Sequence, residues 1–580
     1  MASFNGLHLG VSGLNVSQAA LNVTSHNLAN VDTKGFVRQQ TVVTDFQYVK
    51  VGNSNLYAMQ KGLGANFAEV KQVRDSFLDL AYRQEIGRQA FYESQYQAIN
   101  EIEGLFGELE GVQFQNTMRE FWEGLQELSR QPDNIVARAA FIQTSVSFVE
   151  RADNIFNQLN DYQINLNTKI NEQVSRVNEI GDEIKNLNIK IRHYESTEVE
   201  NANDLRDQRN MLLDELSQIA NITYKENKVG VVTVNLEGVP FVTEDMVYYM
   251  DTVQIGEDTQ MLKAVWPAHG NVDVFNMDRP PSSAHDTDIG SLKGLLIARG
   301  HKQANYTDIP VRERFETDSQ YQTAVAEYNR DIEPSIIMTV QAQFDQLVHG
   351  IVTMINDTLS PNKEVTLLDG SKIKILDVDR APIGMDQEGT MGEVLFTRKS
   401  MARYGDEEEI DIQFINEDGD VETATIMARV YIEEDPADNY SLYTLGEIEV
   451  NPKLLQDKSY LPLSKSDGSG AYDIKTAQEL LSKWQEPFAT LSPNTLTRNN
   501  VNDYYISFMA GIANRGEQVN TISQNQMSMV NSIDNKRSEV TGVSSDEELT
   551  NLIKFQHSYN AAARYINVVS EMLEHIIMNL

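Results

Sequence analysis

The chain carries nine histidines, no cysteine and several acidic clusters. Imidazole can act as acid, base or metal ligand near neutral pH. His193 falls in a helical stretch, and His269, His285 and His301 fall in loop-like sequence, none with a second ligand at a fixed spacing. They read as surface or packed histidines. Without cysteine there is no thiolate nucleophile, no disulfide and no Cys-based metal site. Asn416-x-Asp418-x-Asp420 begins like a calcium loop, but Val421 stands where Gly is needed and Met427 where Glu is needed. It reads as a solvated hairpin tip. Gly468-Ser469-Gly470 is too short to cradle a phosphate and reads as a linker. There is no P-loop, no His-Glu-x-x-His and no Gly-x-Ser-x-Gly. The acidic runs at 406–409 and 433–435 read as solvated faces. We expect no catalytic residue, no metal site and no cofactor.

What is patterned in this chain is apolar. At the C-terminal end Leu552, Phe555, Tyr559, Ala562, Ile566, Val569, Leu573, Ile576 and Leu580 follow one another in alternating steps of three and four. That is a heptad seam kept to the last residue, on a helix roughly 43 Å long at 1.5 Å per residue. The flanks carry only Lys554, Arg564, Glu571 and Glu574 as charges, with Ile553, Ala561, Ala563, Val568 and Ile577 as further apolar residues. Such a helix is suited to contacts on several sides, or to one place in a single-chain bundle. At the other end, residues 1–31 contain no Asp, Glu, Lys or Arg. Phe4, Leu7, Val11, Leu14, Gln18, Leu21, Ser25 and Leu28 repeat the 3-4 spacing. The two ends are expected to pair, with the rest of the chain hanging from the pair.

Between them the spacing predicts a turn at 31–36 with Gly35 at positive φ, extended chain over 37–73, and long helices from Arg74 to about Gln218 broken at Pro132. The best internal coil is Val177, Ile180, Ile184, Leu187, Ile191 and Tyr194, with a stutter at Leu166, Ile170 and Val174. Strands begin near Ile222, and helices return at 291–299 and from Glu333 to about Leu359. Residues 361–495 carry the Asp-Gly turns Asp369-Gly370 and Asp418-Gly419, and 401–440 hold 13 acidic and 2 basic residues. Helix resumes at Asn502 and breaks only at 540–545, where Ser544 or Ser545 caps the last helix ahead of Asp546, Glu547 and Glu548.

The fold class is therefore mainly α with β insertions. We expect a terminal coiled-coil domain (1–35 with 545–580), a helical rod domain (36–225 with 496–544), a mixed segment (226–360) and an acidic β-rich outer insert (361–495). At 580 residues the chain is long enough for several domains. A net charge of −37 repels phosphate and argues against nucleic acid. No run of about 18 apolar residues exists to span a membrane, and the start lacks the basic and apolar regions of a secretory signal.

The run ALNVTSHNLANVDTKGFVRQQ resembles the shared start of bacterial flagellar rod, hook and hook-associated proteins. GVSSDEELTNLIKFQHSYNAAARYINVVSEML resembles their shared end. Asn27, Asn30, Gly35 and Phe36 form the motif turn of the first run. FWEGLQELSRQPDN, NDLRDQRNMLLDELS, GLGANFAEVKQVRDSFLDL and the coil at Val177 to Ile180 resemble the hook-associated members, whose long helical interior hook and rod subunits lack. The resemblance covers about 1–225 and 500–580 well, 290–360 loosely, and 361–495 not at all.

That resemblance implies a structural, extracellular, non-enzymatic protein of the flagellum. It implies export through the flagellar type III channel and assembly at the hook tip, where filament attaches. The implied partners are copies of the chain in a ring or helical array, the hook protein, a second hook-filament junction protein, and a cytoplasmic export chaperone at the C-terminal helices. The apolar positions of the two terminal seams are the expected assembly interface, ordering on assembly, with the acidic insert facing outward. The alternatives are another axial protein (a hook or distal rod subunit), an enzyme through 361–495, or an intracellular coiled-coil scaffold.

Overall fold

The computed structural model describes residues 2–53, 58–107, 114–197, 201–256, 259–415, 421–465 and 472–578. The side chain of Phe4 and all of Leu580, together with the calcium-loop-like 416–420 and Gly468-Ser469-Gly470, lie outside the described residues. In chain order come α1 (Ala2–Ala29), the strands β1 (Gln39–Asp45), β2 (Tyr48–Asn53), β3 (Ala58–Gly62) and β4 (Ala65–Gln72), then α2 (Ser76–Leu105), α3 (Phe114–Arg130), α4 (Ile135–Tyr194) and α5 (Asn203–Ile219). Strands β5 (Ile222–Glu226), β6 (Val232–Leu236), β7 (Val239–Val242), β8 (Asp251–Gln254), β9 (Leu262–Trp266) and β10 (Val272–Asp273) follow. Next are α6 (Ser291–Arg299), α7 (Asp318–Glu327), α8 (Ile336–Leu359), β11 (Asn362–Leu367), β12 (Lys372–Leu376), β13 (Phe396–Arg398), β14 (Tyr404–Ile415), β15 (Val421–Tyr431) and β16 (Ile448–Val450). The chain closes with α9 (Pro452–Gln456), α10 (Ile474–Gln485), α11 (Val501–Thr541) and α12 (Ser545–Met578).

The backbone of the molecule is α4, 60 residues and about 90 Å long. Pro132 lies ahead of it, and Asn134 caps it by accepting from Val136 N. Its coil residues Val177, Ile180, Ile184, Leu187 and Ile191 are buried, as are the stutter residues Leu166, Ile170 and Val174, while Tyr194 is exposed. The stutter keeps one face of a long straight helix on the core.

Amide side chains on α4 hold the β segments. Asn188 Nδ2 donates to Val232 O at 2.8 Å and its Oδ1 accepts from Val232 N at 3.1 Å. Asn178 does the same with Met250, at 2.8 and 2.9 Å. Asn167 takes Gln260 O and Leu262 N, at 2.7 and 3.1 Å. An asparagine side chain carries the donor and acceptor of a peptide group, so it can serve an extended segment as a neighbouring strand would. These contacts dock the sheets β5-β6-β7 and β8-β9-β10 along the helix.

Over residues 39–53 and 58–72 the chain is extended, β1 pairing β4 and β2 pairing β3 antiparallel. Strands β11, β12, β15 and β14 close a small barrel. The remainder of 361–495 does not stand apart from the helices. Leu395, Phe396, Tyr443, Leu445, Leu454, Leu461, Leu463 and Leu480 share one hydrophobic core with α2, α3, α4 and α8. Trp484 on α10 is fully buried and stacks on Trp122 of α3 at 5.3 Å. The apolar residues of this segment that join the core are spaced irregularly through loops and carry no period.

Candidate assembly site at the paired chain ends

Helices α1 and α12 pack antiparallel, but α1 does not present its leucine row. It presents Gly6, Gly10, Gly13, Ser17, Ala20, Thr24 and Asn27, a row of small residues one position earlier and about 100° round the helix. Gly10, Ser17, Ala20, Thr24 and Asn27 are buried. A Cβ on Gly10 would lie 2.6 Å from Ile566 Cγ1, and one on Gly13 3.7 Å from Ala562 Cβ. A Cβ on Gly6 would lie 3.3 Å from the Tyr565 hydroxyl and 3.6 Å from Val569 Cγ2, and Val569 is buried. The α12 seam therefore faces α1. Leu552, Phe555, Tyr559, Ala562, Ile566 and Leu573 are half-buried, and Ile576 is 50% exposed.

α1 thus meets α12 through its small-residue row and not through its apolar seam. Both rows of α1 keep 3-4 spacing, and hydrophobicity favours the leucines. Close approach of the helix axes favours the row with the least side chain. Leu7, Leu14, Leu21 and Leu28 are left half-buried and Val11 41% exposed. On α12 the apolar residues Ile553, Val568, Met572 and Ile577 are exposed as well, while Tyr565 lies over Gly6 and Gly10.

Below the pair the sequence motifs converge. Asn27 Oδ1 accepts from Gln39 N at 3.0 Å, and Asn27 Nδ2 donates to Gln39 O at 2.9 Å and to Glu548 Oε2 at 3.1 Å. Arg38 Nε donates to the other oxygen of Glu548 at 3.0 Å, and Arg38 N to Thr541 O at 2.8 Å. Ser544 is the N-cap, its Oγ accepting from Glu547 N. Asn30 Nδ2 donates to His26 O at 3.0 Å, and Phe36 sets its ring edge to His26. Gly35 has φ +80°, and a Cβ there would strike Met211 of α5. Val37 N then donates to Asp207 Oδ2 at 3.1 Å, with Gln72 Nε2 on Asp207 Oδ1 at 2.7 Å.

A chain of alternating charge continues inward. Arg74 Nε meets Asp79 Oδ2 at 2.9 Å and Arg537 Nε meets Asp79 Oδ1 at 2.8 Å. Arg537 and Arg83 then share Asp214, each at 2.7 Å. Burial pushes the Asp79 carboxyl up, but Arg74, Arg537 and Arg83 more than offset it and hold it below its ordinary value. Asp207 has a single, more distant arginine, Arg74 at 3.8 Å. Burial pushes it up to about 7, against the Val37 N–H and Arg74.

Residue typing missed Arg38, Arg74, Asp79, Asp207, Asp214 and Glu548. All six lie inside the quoted motif runs, but most stand among other charged residues, so charge alone does not single them out. The arrangement holds no catalytic set. Among the described residues no group of three His, Cys, Asp or Glu could hold a metal ion, and no helix is long and apolar enough to cross a membrane. The site is mechanical: it ties both chain ends to α2, α5 and α11 at one place.

Residues 99–364 match the profile described as "Flagellar hook-associated protein FlgK helical domain". Residues 7–36 match "Flagella basal body rod protein", and 534–580 match "Flagellar basal body rod FlgEFG protein C-terminal". Among curated proteins, the chain is 25% identical to flagellar hook-associated protein 1 of Bacillus subtilis, covering 99% of this chain and 98% of that one. It is 23% identical to flagellar hook-associated protein 1 of Escherichia coli, covering 98% of each. The solved flagellar hook junction protein FlgK of Burkholderia pseudomallei aligns at 13% identity and a TM-score of 0.46, over 80% of this chain and all of that one.

Proposed function

We propose that this chain is a member of the flagellar hook-associated protein 1 family and the structural subunit joining hook to filament. The observation that carries the reading is the match over essentially the whole length to hook-associated protein 1 relatives, beginning and ending in the rod-type motifs. The family is one of structural flagellar proteins, and the chain acts by contact and not by catalysis.

The mechanism follows from the unequal faces of the terminal pair. The small-residue row of α1 is consumed within the chain. The leucine row of α1 and the outer apolar residues of α12 remain for neighbouring copies and for the hook protein. A copy that contacts its neighbour through two different patches builds a ring or helical tube, because such an interface need not close on itself. Residues 1–35 and 545–580 would form the inner layer, with the β11–β15 barrel outside. We further propose export by the flagellar type III route, masking of α12 by a cytoplasmic chaperone before assembly, a second junction protein above it, and ordering of the terminal helices on assembly.

Deletion of the gene, followed by electron microscopy of the cells and assay of flagellin in the medium, tests the reading. Hooks without filaments and flagellin lost to the medium are expected. Normal filaments would turn the assignment to a hook or distal rod subunit.

A further inference from the structure

A recess of about 790 Å³ lies between the C-terminal end of α6, the turn that follows α7 and the strands β8 and β9. Its apolar walls include Ile255, Phe275, Pro280, Pro281, Leu296 and Ile297. Pockets that enclose small molecules run from about 300 to 1,000 Å³ and are mostly apolar, with a few placed polar groups. One wall is irregular. α7 passes into a π-helical turn, Tyr328–Ile332, whose Asn329, Arg330 and Asp331 line the recess. Such widened turns occur often at functional sites.

The charges of the lining sort into pairs and one remainder. Lys263 pairs with Asp273 at 2.7 Å, and Arg330 with Asp331 at 2.7 Å. Asp278 and Arg279 are exposed to water. That leaves Arg299, the last residue of α6, which is 1% exposed and has no ion pair among the described residues. Its Nε donates to Gly300 O at 2.8 Å and its Nη1 to Asn167 Oδ1, and no acceptor among the described residues meets its Nη2. Burial, with no acidic neighbour to oppose it, pushes the guanidinium down to about 10. A buried cation without a counter-charge is unfavourable, and a carboxylate is the group that relieves it with charge-assisted hydrogen bonds. His301 lines the same recess. Burial first, then Lys302 and Arg299, hold its imidazole below its ordinary value against Asp331 and Asp308, so it adds no second cation at neutral pH.

We propose that this recess binds a fatty acid, its carboxylate meeting Arg299 Nη2 and its apolar tail lying against Ile297 and Pro281. One buried cation suits one negative charge, and the apolar walls suit a hydrocarbon better than the second charge of a phosphate. The ligand would join α6, the π-helical turn and the 275–281 segment, which otherwise meet around an open space. The inference is independent of the assembly reading above.

The purified full chain is titrated with decanoate, and with decanol as the uncharged control. Saturable binding of decanoate is expected, roughly tenfold or more tighter than that of the alcohol, since a hydrogen bond to a charged group is worth about 1.5–3 kcal/mol. With carboxyl-labelled decanoate followed by NMR, the bound carboxyl should titrate below the free acid, as beside a cation. Burial in an apolar site without the cation would move it the other way. Ala326→Trp enlarges an exposed position of the lining and should abolish binding with the circular dichroism unchanged. Arg299→Gln should erase the preference for the acid over the alcohol. If that variant does not fold, the alcohol control and the titration of the bound carboxyl decide the matter in the native chain. No saturable decanoate binding, equal affinity for decanol, a bound carboxyl that titrates above the free acid, or native affinity in Ala326→Trp would each overturn the proposal.

Discussion

Asn27 donates from Nδ2 to Glu548 Oε2 at 3.1 Å across 521 positions of sequence. The same side chain closes a two-way hydrogen-bonded pair with Gln39. One buried asparagine thus fixes the end of α1, the start of the extended hairpin and the start of α12.

Asn27→Ala strips partners from three buried groups at once. Leaving buried polar groups unpaired costs roughly 1–3 kcal/mol each, so a loss of several kcal/mol in the stability of the terminal pair is expected. Hydrogen exchange of the amides of 545–573 should accelerate while those of α4 hold. Unchanged exchange at 545–573 would mean the knot does not secure α12.

The two rows of α1 should separate by mutation. Gly10→Val places methyl groups against Ile566 and is expected to cost about 1–3 kcal/mol by overpacking, read as faster exchange of α1 and α12 in the isolated flagellar fraction. Leu14→Ala should leave the isolated chain nearly unchanged and reduce filament attachment. Leu573→Asp should also block attachment, with the barrel still folded by circular dichroism. Normal attachment in both leucine variants would refute the outward rows as the assembly surface.

Arg537 neutralises Asp79 and Asp214 together from α11. All three side chains are less than one-fifth exposed. Removing one member of a buried charged set costs about 3–5 kcal/mol. Arg537→Ala should lower the urea midpoint by that order, and Arg537→Lys should recover only part, since one ammonium cannot bridge two carboxylates in the same geometry. An unshifted midpoint in Arg537→Ala would show that the charges are not coupled.

Glu434 supplies a pH prediction. Burial alone pushes its carboxyl up, but His349, the Tyr443 N–H and the Tyr306 hydroxyl bring it down to about 2. A depressed native value stabilises the fold above the ordinary glutamate value of 4.5, and that stability is lost as the pH falls from there toward 2. Thermal unfolding followed from pH 5 to about pH 2 should show the native chain losing more stability than Glu434→Gln. Parallel curves for the two would remove Glu434 from the acid response.

Much of this molecule is legible in the chain. The apolar period and the breaks give α11, α12 and the start of α4 nearly to the residue, because a helix that buries one face must repeat every 3.6 positions, whereas the separation of α2 from α3 was not read. Turn chemistry places Gly35 and the break before Ser545. What could not be read are contacts chosen by shape and by distance in sequence. Trp122 stacks on Trp484, and Leu461 joins the helical core, through loops that carry no period.

By itself the sequence determined the main helices, the uncharged N-terminal stretch and the resemblance of both ends to flagellar axial proteins. It offered two rows on α1 with equal spacing and no means to rank them beyond hydrophobicity. Only the tertiary structure decided between them, because the approach of α1 to α12 is limited by side-chain bulk at the contact, and glycine, serine and alanine give the shortest distance. The same holds for the charged knot. Each of its residues is ordinary where it stands in the chain, and burial beside an opposite charge is a property that exists only once α2, α5, α11 and both ends have come together.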